Sequence, residues 1–298
     1  MARFKALQTS ETDGRFETSL IERDTNDLPA GEVLIRVSFS SLNYKDALSA
    51  SGNRGVTRNF PHTPGIDAAG TVAESSVSDF AEGDEVIVTG YDLGMNTSAG
   101  LTAALCIDKL GQAGLEPTDL PILVTGATGG VGSIAIALLS KLGYKVAAVT
   151  GKAEQGDFLR KLGATEIVER SALQAGTEKP LLKEQWAGAV DTVGGDILFN
   201  AVKSLRRGGS VACCGLTAGT NFQASVLPFI LRGVNLLGVD SVEIPLVVKA
   251  SMWDKLSVQW KLPNLDDLVQ EISLDQLPEA IERTLAGQQT GRILVRLD

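Results

Sequence analysis

A glycine-rich turn between a predicted strand and a predicted helix carries the clearest chemistry in this sequence. The apolar run 122–125 leads into GATGGVG, and helical spacing begins near Gly130. Gly129 and Gly132 occupy the second and third positions of a G-x-G-x-x-G pattern, whereas Ala127 stands at the first. A pyrophosphate can approach a helix N-terminus only where side chains are absent, because backbone N–H groups then hold its charge. The turn predicts a dinucleotide site; the alternative is a turn that only packs helix on strand.

The end of the following strand indicates which dinucleotide would bind. An NAD enzyme usually carries Asp or Glu there, bonded to the ribose 2′-hydroxyl. Here the positions are Thr150, Gly151 and Lys152. A hydroxyl, a bare backbone and an ammonium suit a 2′-phosphate, which a carboxylate would repel, so the sequence favours NADPH. Arg170, after the third strand, is a further candidate for the adenosine phosphate; the alternative for Lys152 and Arg170 is a solvated surface charge.

The sequence offers few ligands for a metal. Its single histidine is His62, in FPHTPGID, and its three cysteines are Cys106, Cys213 and Cys214. Zinc sites need such ligands grouped at short spacings, so we predict no metal site. We expect His62 to be a turn or packing residue, with a catalytic base as the alternative, and the cysteines to be packing residues. Without zinc to polarise an alcohol, reduction of an activated C=C bond or of a quinone remains open.

Composition and charge restrict the partners. The chain has 298 residues, of which 44% are hydrophobic and 21% charged, as in an ordinary globular protein of about two domains. The net charge of −9 disfavours nucleic acid and anionic membranes, since the mean field repels phosphate. The segment MARFKALQTS lacks a signal-peptide core, and no apolar run reaches about 18 residues. We therefore expect a cytoplasmic protein with a small-molecule substrate.

The elements that must position these residues change character near Gly100. Before it, EVLIRVSFSS, AAGTVAESS and DEVIVTG alternate like half-buried strands. After it, apolar strands alternate with helices of about 10–15 residues, which predicts βαβ units and a parallel sheet covered on both faces. One predicted helix is LFNAVKSLRRGG, and another lies around 251–260. The closing strand RILVRL is expected to return to the N-terminal domain.

Several motifs, taken together, resemble one family. SSLNYKDAL, FPHTPGIDAAGTV, EGDEVIVTGYDLG, VTGATGGVGSIA, WAGAVDTVGG, PFILRGVNLLGVDS and TGRILVRL occur in order along nearly the whole chain. The sequence thus resembles the acrylyl-CoA reductase and YhdH-type quinone oxidoreductase branch of the medium-chain dehydrogenase/reductase superfamily. The resemblance implies a GroES-like catalytic domain (1–98 and 242–298) and a doubly wound NADPH-binding Rossmann domain (99–241). It also implies a zinc-free homodimer that reduces acryloyl-CoA to propanoyl-CoA, or reduces a quinone.

The same resemblance assigns roles to individual residues. Tyr44 matches the tyrosine beside the nicotinamide, with Asn43 and Asp46 in the same cleft. Arg292, in TGR, matches an arginine near the cofactor. The remaining cofactor contacts that the family pattern implies are Thr128, Gly129, Gly130, Val131, Thr150, Gly151, Lys152, Arg170, Leu216, Ile230 and Ser241. The alternatives are a core aromatic for Tyr44, a helix-start or ion-pair residue for Asp46, and core residues for Leu216 and Ile230.

One departure from the family pattern follows GYDLGMNTS. Ser98 passes directly to AGLTAALCIDKL, where the family has a segment of about thirty further residues, well beyond the roughly 4–6 residues of an ordinary connection. That segment would supply part of the catalytic domain's sheet and the start of the linking helix. If it is truly deleted, NADPH binding without catalysis is a third reading of the protein.

Overall fold

The computed structural model describes residues 2–89, 99–263 and 265–297. Its strands, in chain order, are β1 (Arg3–Thr12), β2 (Arg15–Asp24), β3 (Val33–Leu42), β4 (Asp67–Ser75), β5 (Glu85–Thr89), β6 (Ile122–Val124), β7 (Val146–Thr150), β8 (Glu166–Glu169), β9 (Trp186–Asp191), β10 (Leu205–Cys213), β11 (Asn235–Gly238), β12 (Val269–Ser273) and β13 (Arg292–Arg296). Its α-helices are α1 (Tyr44–Ala50), α2 (Ala99–Gln112), α3 (Gly130–Lys141), α4 (Gly156–Lys161), α5 (Gly195–Lys203), α6 (Leu227–Arg232), α7 (Leu246–Ser257) and α8 (Leu277–Leu285). The chain divides into a first unit, Met1–Ser98 with Asp266–Asp298, and a second unit, Ala99–Leu265.

The first unit contains a five-stranded sheet in the order β12-β13-β3-β4-β5 and a separate β1–β2 hairpin. β13 pairs antiparallel with β3, so that Ile293 lies opposite Leu42. The prediction that RILVRL returns to the N-terminal strands is therefore confirmed. Ile293 and Leu42 are buried together with Ala47 of α1 and Ile281 of α8, which closes the hydrophobic core on the end of β3.

The second unit is a six-stranded parallel sheet in the order β11-β10-β9-β6-β7-β8. This is the strand order of a doubly wound sheet, and it reverses between β6 and β9. Buried apolar strands alternate with the helices, as a sheet covered by helices requires. The predicted α/β fold, with a GroES-like part and a Rossmann-like sheet, is confirmed. Ligands of such sheets bind outside the carboxyl ends of the strands at the point of reversal.

Two local predictions were wrong. The helix predicted over LFNAVKSLRRGG ends at Lys203, because Leu205 already belongs to β10, where it is fully buried opposite Trp186 of β9. Residues 242–265, predicted to join the N-terminal domain, group instead with the second unit. The reason is packing: Met252 of α7 is buried against Leu101 of α2.

The predicted absence of a segment after Ser98 falls within residues 90–98, outside the described residues. α2 begins directly afterwards, at Ala99. Among the helices of the described ranges, none combines the length and the hydrophobicity needed to cross a bilayer.

Candidate active site

The glycine-rich turn joins β6 to the start of α3. Gly132 packs the first turn of the helix directly on the chain before it, since an added Cβ would lie 2.3 Å from the carbonyl oxygen of Gly126. The tight turn falls at Gly126, whose φ is +59°, and Ala127 is buried with its N–H bonded to the Val149 carbonyl at 3.1 Å. Alanine at the first motif position is therefore compatible with the turn. The backbone N–H groups of the helix start are left available for an anion.

A second candidate subsite lies at the end of β7. The guanidinium of Arg170 lies against the backbone of Gly151, since an added Cβ there would be 2.7 Å from Cζ. The Thr150 Oγ1 accepts a hydrogen bond from the Lys152 N–H at 2.9 Å. Burial lowers the pKa of Lys152; Glu154 opposes this shift and Arg170 adds to it. Two cations beside a bare backbone form a site that suits a phosphate and that a carboxylate would spoil.

These two features border one small cleft. The residues that line it are Thr125, Gly126, Thr128, Val149, Thr150, Arg170, Val193 and Ile197. The predicted contacts Thr128, Thr150 and Arg170 thus meet in space, although 42 positions of sequence separate the first from the last. Val193 and Ile197, which the sequence did not single out, complete the cleft from the segment after β9. Nucleotide clefts usually combine an apolar wall with a few polar groups that donate hydrogen bonds to phosphate.

The predicted contacts Leu216, Ile230 and Ser241 are not among the residues that line this cleft. Leu216 is 46% exposed and Ile230 is 69% exposed, so the reading of both as core residues is wrong. Their exposure follows from their positions, beyond the end of β10 and on the six-residue helix α6. Ser241 accepts a hydrogen bond from Thr102 of α2 at 2.9 Å. Their contact with a cofactor stays a prediction.

The first unit brings together a polar network where three strands meet. Arg292 Nη2 donates to Ser41 Oγ at 2.8 Å and to Asn43 Oδ1 at 3.0 Å. Ser41 Oγ and Asn43 Nδ2 each donate to Asp67 Oδ2 at 2.9 Å. β3 runs antiparallel to both β4 and β13, so the end of β3 adjoins the first residues of the other two, Asp67 and Arg292. The register of the sheet therefore assembles this network.

Asp46 adds a second carboxyl to this network. It lies in the first turn of α1, is 4% exposed, and its Oδ2 accepts the Asn43 N–H at 2.7 Å. Burial raises its pKa to about 7; the bonds from Asn43 and the charge of Arg292 oppose this rise, and the charge of Asp67 adds to it. Within the part of the chain that the structure describes, Asp46 Oδ1 and Asp67 Oδ1 are buried without a hydrogen-bond partner. A carboxyl of this kind exchanges its proton near neutral pH.

Asp67 and Ser41 are site residues that the sequence reasoning missed. Asp67 begins the strand in the motif FPHTPGIDAAGTV, and its pairing with β3 would have placed it beside Asn43. Tyr44 begins α1 directly after Asn43 and is half-buried. Burial lowers the pKa of Arg292, and the carboxylates of Asp67 and Asp46 oppose that shift. Arg292 thus stands in the carboxylate network, and its predicted contact with a cofactor stays a prediction.

His62 and the cysteines lie in ordinary backbone and packing environments. The backbone of His62 pairs with Thr9, with N–O distances of 2.8 and 2.9 Å. Cys106 is buried in α2, and the Cys213 thiol faces a carboxylate oxygen of Asp191 at 3.9 Å. Across the described ranges, no three His, Cys, Asp or Glu side chains lie close enough together to hold a metal ion.

A doubly wound sheet with a glycine-rich turn, joined in one chain to a small β-rich unit, defines the class of two-domain dinucleotide oxidoreductases. Comparison with known families agrees. Residues 29–141 match the family described as alcohol dehydrogenase GroES-like domain, and residues 130–257 match the family described as zinc-binding dehydrogenase.

Relatives narrow the class to one branch. The chain is 42% identical, over 99% of each sequence, to the Bacillus subtilis protein named "Putative quinone oxidoreductase YhfP", and 39% identical to acrylyl-CoA reductase AcuI of Ruegeria pomeroyi over 98% of each. A structure of B. subtilis YhfP with NAD superposes with a TM-score of 0.93, at 41% identity, covering all of both chains. That of Escherichia coli K-12 YhdH with NADPH gives 0.91, at 39% identity, covering 98% of this chain and all of the other. This protein belongs to the medium-chain dehydrogenase/reductase superfamily, as a member of the branch of oxidoreductases that includes AcuI, YhfP and YhdH.

The alignments also bear on the missing segment. They extend over 325 or 326 positions, whereas this chain has 298 residues. At least 27 positions of these relatives therefore have no counterpart here, in agreement with the predicted difference of about thirty residues. The resemblance to this branch is confirmed.

Proposed function

We propose that this protein uses NADPH to reduce the activated C=C bond of acryloyl-CoA, or of a related α,β-unsaturated thioester, to the saturated product. The observation that carries the proposal is the buried Asp46 carboxyl, with a pKa of about 7, set in the network of Asn43, Asp67 and Arg292. Such a reduction consumes one hydride and one proton per double bond. The similarity to AcuI of R. pomeroyi supports the thioester as acceptor.

The second unit would hold the dinucleotide. The bare turn before α3 accommodates the pyrophosphate, and Arg170 with Lys152 accommodates a 2′-phosphate. NADPH held there would supply the hydride that the β-carbon of the acceptor takes up. E. coli YhdH was solved with NADPH and B. subtilis YhfP with NAD, so the choice of NADPH here rests on the residues after β7.

The first unit would manage the proton. Hydride addition leaves an enolate, which hydrogen-bond donors must stabilise while the α-carbon takes a proton. At neutral pH Asp46 can hold or release that proton. Ser41 and Asn43, which both accept hydrogen bonds from Arg292, donate to the adjacent Asp67 and hold it in place. Tyr44, at the start of the same helix, and water are the rival donors. Replacement of Tyr44 by Phe with turnover intact would exclude the tyrosine.

The rate of NADPH oxidation at about 340 nm, the band of the reduced nicotinamide, tests the substrate. We expect fast turnover with NADPH and acryloyl-CoA, and slow turnover with NADH or with a simple quinone. Activity on the quinone and none on acryloyl-CoA would instead select the alternative function of NADPH:quinone oxidoreductase, which the similarity to YhfP supports. Bound NADPH without turnover on any acceptor would favour a third candidate, a non-catalytic binding protein, because this chain lacks the segment that the family has after Ser98.

We also propose that the protein forms a homodimer, as the family resemblance implies.

Cofactor choice gives a separate prediction for the site after β7. Replacement of Arg170 by Ala is expected to weaken NADPH binding about tenfold or more and to leave NADH binding within about twofold, because a charged hydrogen bond to the 2′-phosphate is worth roughly 1.5–3 kcal/mol. Titration of nicotinamide fluorescence would measure both affinities. Lys161→Ala, which removes an exposed cation at the end of α4, is the matched control. Equal losses for the two cofactors would remove Arg170 from the 2′-phosphate site.

A further inference from the structure

The side chain of Asp191 joins the ends of three adjacent strands in the second unit. It is the last residue of β9 and has no exposed surface. Its Oδ1 accepts from Thr125 Oγ1 at 2.7 Å, just beyond β6, and its Oδ2 accepts from the Gly194 N–H at 2.8 Å. Cys213, the last residue of β10, faces the same oxygen at 3.9 Å. One carboxyl group therefore contacts the carboxyl ends of β6, β9 and β10.

Thr125 extends this arrangement into the segment after β9. Its Oγ1 also accepts the Thr192 N–H at 3.0 Å, and its carbonyl accepts the Thr192 hydroxyl at 2.8 Å. The contact is so close that a Cβ on Gly126 would lie 2.2 Å from Thr192 Oγ1. The glycine-rich turn and the turn after β9 are thus held together as one piece, and Thr125, Gly126 and Val193 all line the cleft.

Burial of a carboxylate costs free energy, because the group loses its hydration and needs hydrogen-bond donors in place of water. Packing alone would be achieved at lower cost by an apolar residue. Burial raises the pKa of Asp191, while the bonds from Thr125 and Gly194 lower it. What the carboxylate provides, and an apolar residue would not, is a fixed distance between two turns. Those turns face each other where the sheet reverses its order, which is where a dinucleotide crosses a doubly wound sheet.

We propose that Asp191 is a positioning residue for the dinucleotide: it sets the spacing between the glycine-rich turn and the turn after β9, and so shapes the pyrophosphate and nicotinamide part of the cleft. The inference rests on the proposed function, because it assumes that the cleft holds NADPH. Asp191 is fully buried, so it would act only through these two turns. The adenosine end, formed by Thr150, Gly151 and Arg170, is not among its hydrogen-bond partners and should be insensitive to it.

Asp191→Asn tests the proposal with two ligands. An amide accepts on one side only, so either Thr125 or Gly194 loses its acceptor. We expect the Kd for NADPH to rise about tenfold or more, as loss of a hydrogen bond to a charged group allows, and the Kd for adenosine 2′-monophosphate to stay within about twofold. Fluorescence titration measures the first and calorimetry the second, both well below the melting temperature.

Asn200→Ala is the matched control. Asn200 is equally buried in the same unit, and its Nδ2 donates to the carbonyls of Leu173 and Ala175 at 2.7 and 3.1 Å, but it does not line the cleft. We expect it to lower the melting temperature and to leave both affinities within about twofold, because it removes buried bonds without changing the turns. If Asp191→Asn fails to fold, Thr125→Val removes the hydrogen bond between Thr125 and Asp191 and should weaken NADPH binding in the same way. Thr125→Ser keeps the hydroxyl and should therefore retain NADPH binding.

The outcomes separate the two proposals. Unchanged NADPH affinity in Asp191→Asn, or equal weakening of both ligands, would overturn the positioning role and leave the proposed function standing. Wild-type protein that binds NADPH but reduces no acceptor would overturn the proposed function and leave the positioning role standing. Wild-type protein that binds neither ligand would overturn both.

Discussion

Replacement of Asp46 by Asn is expected to make the protein more stable at pH 8 and at the same time nearly inactive. The Asp46 carboxyl has a pKa of about 7 in the folded chain, against 3.8 as its ordinary value. Between these values the folded state holds a proton that the unfolded state has released. The contribution of this group to the free energy of unfolding therefore falls by up to about 4 kcal/mol as the pH rises from about 4 to about 7. Above about pH 7 it is constant. Asn carries no charge, so the variant escapes that loss.

Thermal unfolding at pH 5 and at pH 8 measures the stability effect. The melting temperature of Asp46→Asn should exceed that of the wild type by several degrees at pH 8, with a much smaller difference at pH 5. Asp79→Asn, an exposed change in the same unit, should show no such dependence on pH. If Asp46→Asn is instead less stable than the wild type at pH 8, the ionised Asp46 carboxylate stabilises the folded state and the prediction is wrong.

The kinetic effect of the same change tests the proton role. Loss of a positioned acid typically lowers the rate about 10²–10⁴-fold, and the wild-type kcat/KM should decline above the pKa of its essential acid, near pH 7. In Asp46→Asn that decline should vanish. A retained decline in Asp46→Asn, abolished instead by Tyr44→Phe, would transfer the proton role to the tyrosine.

Replacement of Gly132 by Ala is expected to abolish NADPH binding and to destabilise the second unit. The added Cβ would lie 2.3 Å from the Gly126 carbonyl oxygen and 3.0 Å from the Ala127 Cα, and both atoms belong to the backbone, which cannot simply rotate away. Overpacking of this kind costs about 1–3 kcal/mol or more. Relief of the clash must move the turn from the helix start, and so displace the N–H groups that would hold the pyrophosphate.

Gly111→Ala is a sharp control for this change. Gly111 lies in α2, and no atom of the described residues comes within 4 Å of an added Cβ, so alanine there should stabilise the helix by roughly 0.5–1 kcal/mol. Thermal melts with and without NADPH would compare the two variants: Gly111→Ala should keep the ligand-induced rise in melting temperature, and Gly132→Ala should lose it. Normal NADPH affinity in a folded Gly132→Ala protein would show that the helix start does not bind the pyrophosphate.

Much of the second unit was predictable from local patterns. Apolar strands, helical spacing and glycine positions are features of neighbouring residues, and they predicted the turn before Gly130 and the site after Thr150. The helix predicted through Leu205 failed because local spacing there is ambiguous between helix and strand. Pairing with β9 decides the matter, since it buries Leu205 opposite Trp186. The predicted contacts Leu216, Ile230 and Ser241 came from resemblance alone, and their contact with a cofactor is still to be tested.

The sequence by itself determined the type of dinucleotide site and the scarcity of metal ligands, because both depend on residue types at short spacing. It also determined the class of protein, through motifs that resemble one family in order along nearly the whole chain. Only the tertiary structure decided which polar groups stand together. Asp67, Ser41 and Arg292 meet because β3 pairs with β4 and β13 in a particular register, and a register is a property of the sheet. The pKa of Asp46 likewise follows from its burial, which only the folded chain creates. The hydrogen bond between Thr125 and Asp191 joins residues 66 positions apart, and no local sequence pattern carries information over that separation.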